Sequence, residues 1–260
     1  MDNLNTLLVS QQGDVLKVSL HRPQLANAMN LVMVNELNQV MDYVTAHDIR
    51  VLVISGSAGN FCAGGDIKDM QAARGDREEL IRINRAFGLM IEKANNLPCI
   101  VISALEGAVL GGGFGLACIS DVAISSTSAK FAMPETSLGI LPAQIAPFVV
   151  ERIGLTHARR LALLGLRIDA QQALSLGIIH QIASDEGDLA QQVDAAIALA
   201  LNCAPSASKM TKALLHRTGT VAMSDLLDQA AQDFAESVAG EGIEGATAFA
   251  QKRKPSWRQS

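Results

Sequence analysis

Apolar residues follow two different spacings along this chain. In "TLLVSQQGDVLKVSL", residues 6–20, short apolar runs flank Gly13 and Asp14, which predicts two strands around a turn. "HRPQLANAMN" then supplies Pro and Asn breakers, and Asn30 is placed to cap a helix carrying Leu31, Val34, Leu37, Met41 and Val44 on one face. "VLVISG" at 51–56 reads as a short buried strand running into the small-residue loop "SAGNFCAGGD". Residues 77–96 predict a second amphipathic helix through Leu80, Ile83, Phe87, Met90 and Ile91.

The order then repeats. "PCIVISALEG" is a strand, "AVLGGGFGLACIS" a glycine turn into a helix, and "DVAISS" another strand. Strand, glycine-rich loop and helix in succession predict an α/β core. From about residue 147 strands become scarce, and "IGLTHARRLALLG" and "DAQQALSLG" read as helices stopped by glycine. Past residue 187 the pattern is helical without clear strands, which suits an oligomerisation element or a helical cap on the core. No low-complexity linker divides the two parts.

Composition narrows the function classes. The chain has 260 residues, 49% of them apolar, enough for a substantial core. Charged residues make up 18% and the net charge is -5, so no basic footprint points to nucleic acid. Cys62, Cys99, Cys118 and Cys203 lack paired spacing and read as free thiols of a reducing compartment. The start carries no basic and then apolar leader, and no run approaches the roughly 20 apolar residues of a membrane span. A cytoplasmic protein without membrane contact is expected. The five histidines show no HxxxH or HxH spacing, so no metal site is expected. Neither glycine-rich loop, at 59–68 or 110–115, carries GxGxxG or Walker spacing, and there is no GxSxG.

Three stretches remain as candidate chemistry. Loop 59–68, "GNFCAGGDIK", exposes peptide N–H groups at a run of small residues. Loop 110–115, with Gly111, Gly112, Gly113 and Gly115, opens a helix, where unpaired N–H groups and the dipole favour negative charge. Facing one another, two such loops polarise one carbonyl oxygen from both sides, as an oxyanion hole does; taken singly, each is an ordinary tight turn. The third is Glu135 in "AKFAMPETSLGILP", a lone carboxylate among apolar residues. It reads either as a first-turn glutamate serving a helix dipole or as a general acid/base whose pKa is raised by apolar neighbours. Cys62 in the first loop reads as a small packing residue rather than a nucleophile, because no histidine lies nearby in sequence.

"RPQLANAMN", "FCAGGDIKDM", "LGGGFGLACISDVAIS", "FAMPETSLGILP", "ALSLGIIHQI" and "AFAQKRKPSW" together resemble the crotonase family of acyl-CoA enzymes, the enoyl-CoA hydratases and isomerases. The resemblance covers nearly the whole chain. It implies an α/β fold, a spiral of ββα repeats over residues 1–200, followed by a helical region at 201–260 for trimerisation and active-site cover. Trimers that often pair into hexamers are implied, with an acyl-CoA as substrate and no cofactor beyond its coenzyme A. By position, the amides of Ala63 and Gly112 are implied to hold the thioester oxygen, and Glu135 to move the proton. Gly65, Asp66 and Ile67 are implied along the CoA, Gly111 and Ala143 beside the acyl group, and Lys252 at a CoA phosphate from its own or a neighbouring subunit.

One departure is sharp. Hydratases of the family usually have a second glutamate two residues beyond the triple glycine, and here that residue is Gly115. The 3-hydroxyisobutyryl-CoA hydrolase branch shares this exchange, but it and the dienoyl-CoA isomerases place an aspartate near Ala143 and Gln144, where this chain has none. "PETSLGILPAQIAPFVVERIGLTHARRLAL" is most similar to isohexenylglutaconyl-CoA hydratases of acyclic terpene breakdown. The resemblance implies hydration of a branched 2-enoyl-CoA, and the departure from glutamate to Gly115 is expected to leave room for the branch. A single-glutamate isomerase, a thioester hydrolase and a non-catalytic acyl-CoA-binding protein are the alternatives.

Overall fold

The computed structural model describes residues 4–258. Strands β1 (Leu7–Gln12) and β2 (Val15–Leu20) pair antiparallel from Leu7↔Leu20 to Gln12↔Val15, and Gly13 takes φ 55° at the turn between them. Helix α1 (Leu31–Ala46) starts where its cap predicts: Asn30 accepts the Met33 N–H at 3.0 Å. There follow β3 (Val51–Gly56), α2 (Ile67–Ala72), α3 (Arg77–Asn95), β4 (Ile100–Leu105), β5 (Ala108–Leu110), α4 (Gly112–Ile119), β6 (Val122–Ser126) and β7 (Lys130–Ala132). A 3-10 turn, Glu135–Leu138, leads to α5 (Ala146–Leu164), β8 (Arg167–Asp169), α6 (Ala170–Ser175), β9 (Gln181–Ala183), α7 (Glu186–Asn202), α8 (Pro205–Arg217), α9 (Met223–Ser237) and α10 (Ile243–Ala250).

Six strands form one sheet in the order β1-β2-β3-β4-β6-β9, parallel throughout except for the first pair. A second, three-stranded sheet runs β5-β7-β8. Each coil of the chain places a strand in the first sheet and then a short stretch in the second: β4 then β5, β6 then β7, and after β3 a bridge from Cys62 to Val109. That is the expected α/β spiral of ββα units, closed by C-terminal helices. The region boundary expected at residue 200 falls in the last turn of α7, which packs on β4, β6 and β9.

The apolar runs of the strands are continuous because the sheet is covered on both faces. One face meets α1, α3 and α4 through Leu16, Val18, Leu52, Met33, Met90 and Phe114. The other presents Val51, Val53, Ile102 and Ile124 to Leu189, Val193 and Ile197 of α7. Phe114 and Phe131, both fully buried, meet edge to face at 6.4 Å between centroids. Each such ring contributes roughly 1.5–3 kcal/mol by burial alone. The core thereby anchors α4, which starts at the glycine turn, on β7, which leads to Glu135.

β5, β7, β8 and β9 escape the sequence pattern because three residues are too short to show a period. The predicted stops at Gly165 (φ 55°) and Gly177 (φ 74°) hold, and α6 opens with a capping box between Asp169 and Gln172.

Candidate active site

The first loop is zipped to its neighbours by backbone. Cys62 donates to the Ala108 carbonyl at 2.8 Å and accepts from Leu110 N–H at 2.9 Å. Met29 bridges Gly65 in parallel: it donates to Gly64 O at 2.8 Å and accepts from Asp66 N–H at 2.7 Å. In this arrangement the peptide groups on either side of Gly65 face Met29, and the Gly65 N–H faces away from it. It has no acceptor among the described residues, and Gly65 lines a cavity of about 340 Å³. Ala63 behaves differently from the expectation. Its N–H donates to the Ala26 carbonyl at 3.0 Å, so this amide is already committed to holding the loop, and the unpaired donor of the loop is Gly65.

The second loop reaches the same cavity. Gly111, at φ 50° and ψ -118°, donates to Ala132 O at 3.0 Å and opens α4. Gly112 is the first helical residue, so its N–H has no partner within the helix, and none among the other described residues. The helix dipole adds positive potential there. The two loops touch: a Cβ on Gly111 would stand 3.3 Å from Gly64 Cα.

Glu135 closes the constellation. It begins the 3-10 turn after Pro134, whose carbonyl accepts Ser137 N–H at 3.0 Å and Ser137 Oγ at 2.6 Å. Thr136 Oγ1 donates to Ala162 O at 2.7 Å, tying the turn to α5, and Gly139 ends it at φ 74°. The first-turn reading therefore holds for its position but not for its carboxylate, whose Oε2 is buried without a hydrogen-bond partner. Burial pushes the Glu135 pKa up from its ordinary value, and the residue's own backbone N–H offsets only part of this. A carboxyl group in that state accepts a proton readily and gives it back. The cavity holds one further carboxylate outside the Arg22 pair described next, Asp69, and its Oδ2 accepts the Leu31 N–H at the start of α1 at 2.9 Å.

Of the other expected residues, Asp66, Ile67 and Ala143 line the cavity. Asp66 also caps α2 through Lys68 N–H and pairs with Arg22 at 2.9 Å. Burial works against its ionisation, but the Lys68 amide and the Arg22 guanidinium outweigh it and hold the carboxyl below its usual range. Gly115 is not at the cavity wall. A Cβ there would stand 2.6 Å from Ile145 Cγ2 and 3.1 Å from Ile91 Cδ1, so the space freed by glycine is already filled by these two side chains rather than left for substrate. Lys252 is exposed at φ 53° beyond α10 and does not line the cavity of its own chain. The Cys62 thiol is fully buried and pushed up to about 11 by that burial, in keeping with a packing role.

Asn84 and Gln144 also line the cavity, alongside the apolar wall of α3. Sequence reading did not select them as site residues. Their only signal is a polar position interrupting the apolar stripe of α3, and a glutamine where related enzymes place an acid.

The enoyl-CoA hydratase/isomerase family model matches residues 10–260. The chain is 33% identical to 2,3-dehydroadipyl-CoA hydratase of Escherichia coli (strain K12), covering 98% of this chain and 99% of that protein. It is 32% identical to mevalonyl-coenzyme A hydratase of Aspergillus fumigatus, over 95% of this chain and 92% of that protein. Among solved structures, an enoyl-CoA hydratase/isomerase from Marinobacter aquaeolei superposes with a TM-score of 0.95 at 53% identity, covering 97% of this chain and 99% of that one. Pseudomonas aeruginosa AtuE superposes with a TM-score of 0.96 at 52% identity, over 98% and 100% of the two chains.

Proposed function

The chain belongs to the enoyl-CoA hydratase/isomerase family, and from that premise we propose that it adds water across the C2–C3 double bond of a branched, carboxylate-bearing 2-enoyl-CoA of the glutaconyl type, such as isohexenylglutaconyl-CoA. The observation that carries the chemistry is one half-buried carboxylate, Glu135, whose Oε2 is buried and unpaired, in a cavity shared with the unpaired amides of Gly65 and Gly112. The thioester oxygen lies between the two amides. Ionised Glu135 takes a proton from water as the oxygen bonds to C3, and the electron pair of the double bond moves onto the thioester oxygen as an enolate. The two N–H groups stabilise that charge, a contribution of roughly 10² to 10³ in rate per donor. Protonated Glu135 then delivers its proton to C2, so one carboxyl group serves both steps. A raised pKa suits the first step, because the carboxylate is a stronger base than an ordinary glutamate. A substrate carboxylate orients the water that a second glutamate would otherwise hold.

The coenzyme A portion runs along Gly65, Asp66 and Ile67, with Lys252 meeting a phosphate from a neighbouring subunit. Exposed Phe234, Ile243 and Phe249 on α9 and α10 support a homotrimer, paired into a hexamer, as the working assembly. Among the described residues no helix is long and apolar enough to cross a membrane, which supports a cytoplasmic enzyme.

A turnover screen with branched, carboxylated and linear 2-enoyl-CoAs tests the reading, following loss of the conjugated double bond and release of free thiol together. Preference for a branched, carboxylated substrate without thiol release supports it. Crotonyl-CoA as the best substrate overturns the substrate class, and thiol release overturns the hydratase. Incubation of a 3-enoyl-CoA in deuterated water separates out an isomerase, which would give labelled 2-enoyl product. Inactivity across the panel with binding retained would mark an acyl-CoA-binding protein.

A further inference from the structure

Resting on that reading, we propose that Asn84, Gln144 and Arg85 form the subsite that receives the carboxylate of the acyl group and selects for it. Gln144 Nε2 donates to Asn84 Oδ1 at 2.7 Å, and Arg85 Nη1 approaches Gln144 Oε1 at 3.4 Å. A guanidinium only donates hydrogen bonds, so its position sets the direction of the whole relay. Gln144 turns its oxygen to Arg85 and its nitrogen to the Asn84 oxygen. The relay therefore ends in donors: the Asn84 Nδ2 amide and the second hydrogen of Gln144 Nε2, neither with an acceptor among the described residues.

Asn84 and Gln144 line the cavity that holds Glu135, between the apolar side chains of α3 and the segment 138–145. Surplus donors backed by a positive charge in an apolar wall match an anion with several acceptor lone pairs, which a carboxylate is. Arg85 is half exposed, and its far edge pairs with Glu92 at 2.9 Å, which steadies the guanidinium at the rim.

Gly88, in the middle of α3, makes the arrangement sterically feasible. A Cβ at this position would stand 1.8 Å from Gln144 Oε1, 2.7 Å from its Cδ and 2.8 Å from Arg85 Nη1. Glycine weakens a helix relative to alanine, and here the room it leaves is occupied by the Gln144 amide. The atoms a methyl group would displace belong to flexible side chain ends rather than backbone. Gly88→Ala is therefore expected to push the amide aside without harming the fold.

The test compares two saturated acyl-CoA probes by calorimetry on the full chain: 3-methylglutaryl-CoA, which ends in a carboxylate, and 3-methylpentanoyl-CoA, which ends in a methyl group. The unaltered protein is expected to bind the charged probe about tenfold more tightly or better. In Gly88→Ala and in Gln144→Leu the ratio falls to about one while affinity for the neutral probe is kept, and the melting temperature of Gly88→Ala does not drop. Lack of preference in the unaltered protein overturns the subsite, and so does an equal loss for both probes in the variants. Preference for the charged probe without any enoyl-CoA hydration leaves the subsite standing and removes the hydratase. Hydration of carboxylated substrates with unchanged selectivity in both variants does the reverse.

Discussion

Glu135 and Gly111 are neighbours that leave no space for a side chain between them: a Cβ on Gly111 would stand 3.0 Å from Glu135 Oε1. Gly111 also holds φ 50° and ψ -118°, a conformation an L side chain rarely adopts. Gly111→Ala therefore both strains the turn and moves the carboxylate. A stability loss of about 1–3 kcal/mol is expected, read by thermal unfolding. Because misplacement by an ångström costs on the order of 10² in rate, kcat on the best enoyl-CoA should fall by about that much.

Glu135→Gln is expected to lower kcat by roughly 10² to 10⁴ while leaving the protein as stable as before or more so. Its pH dependence has a definite sign. A raised native pKa means that the folded state binds the Glu135 proton more tightly than the unfolded state does. Stability from this proton is present at low pH and is lost as pH rises through the native value. The melting temperature of Glu135→Gln relative to the unaltered protein should thus rise from pH 4 to pH 8. The acid limb of kcat/KM should lie above the ordinary glutamate value of about 4.3, since the base must be ionised to act.

Gly65 separates a donor from a side chain. A Cβ there meets nothing within 4 Å, so Gly65→Ala keeps the N–H and should retain most activity. Gly65→Pro removes the N–H without breaking the bonds that Gly64 and Asp66 make to Met29, and should cost roughly 10² to 10³ in kcat. Equal activity of the two variants would remove Gly65 from the oxyanion pair.

Restoring an acid at position 115 should fail. Gly115→Glu drives a side chain into Ile145 and Ile91, and overpacking costs about 1–3 kcal/mol before any charge is buried. A lower melting temperature without gain on crotonyl-CoA is expected. Ile145→Ala in the same chain should recover part of the stability by clearing the nearest contact.

Much of this architecture was legible in the amino-acid order, because the signals are local. The Asn30 cap, the hairpin at Gly13 and the stops at Gly165 and Gly177 each depend on residues within one turn of themselves. The recurrence of strand, glycine loop and helix carried the α/β core, and the family resemblance carried the spiral and the choice of Glu135 as the acid. Strands of three residues were silent, since their partners (β7 for β5, β8 for β7, β6 for β9) lie some twenty residues or more away.

Which amide is free was a different kind of question. The resemblance implied Ala63, and the choice of Gly65 instead is made by the Ala26 carbonyl, 37 residues upstream of Ala63, and by the Met29 bridge. Whether Gly115 opens the cavity was likewise settled by Ile91 and Ile145, which arrive from α3 and from the loop before α5. By itself the sequence determined the longer elements, their order and the residue types brought to the site. Only the tertiary structure decided which donors stay unpaired and which space stays empty, because hydrogen-bond partners and packing neighbours are supplied by distant segments whose approach no local pattern encodes.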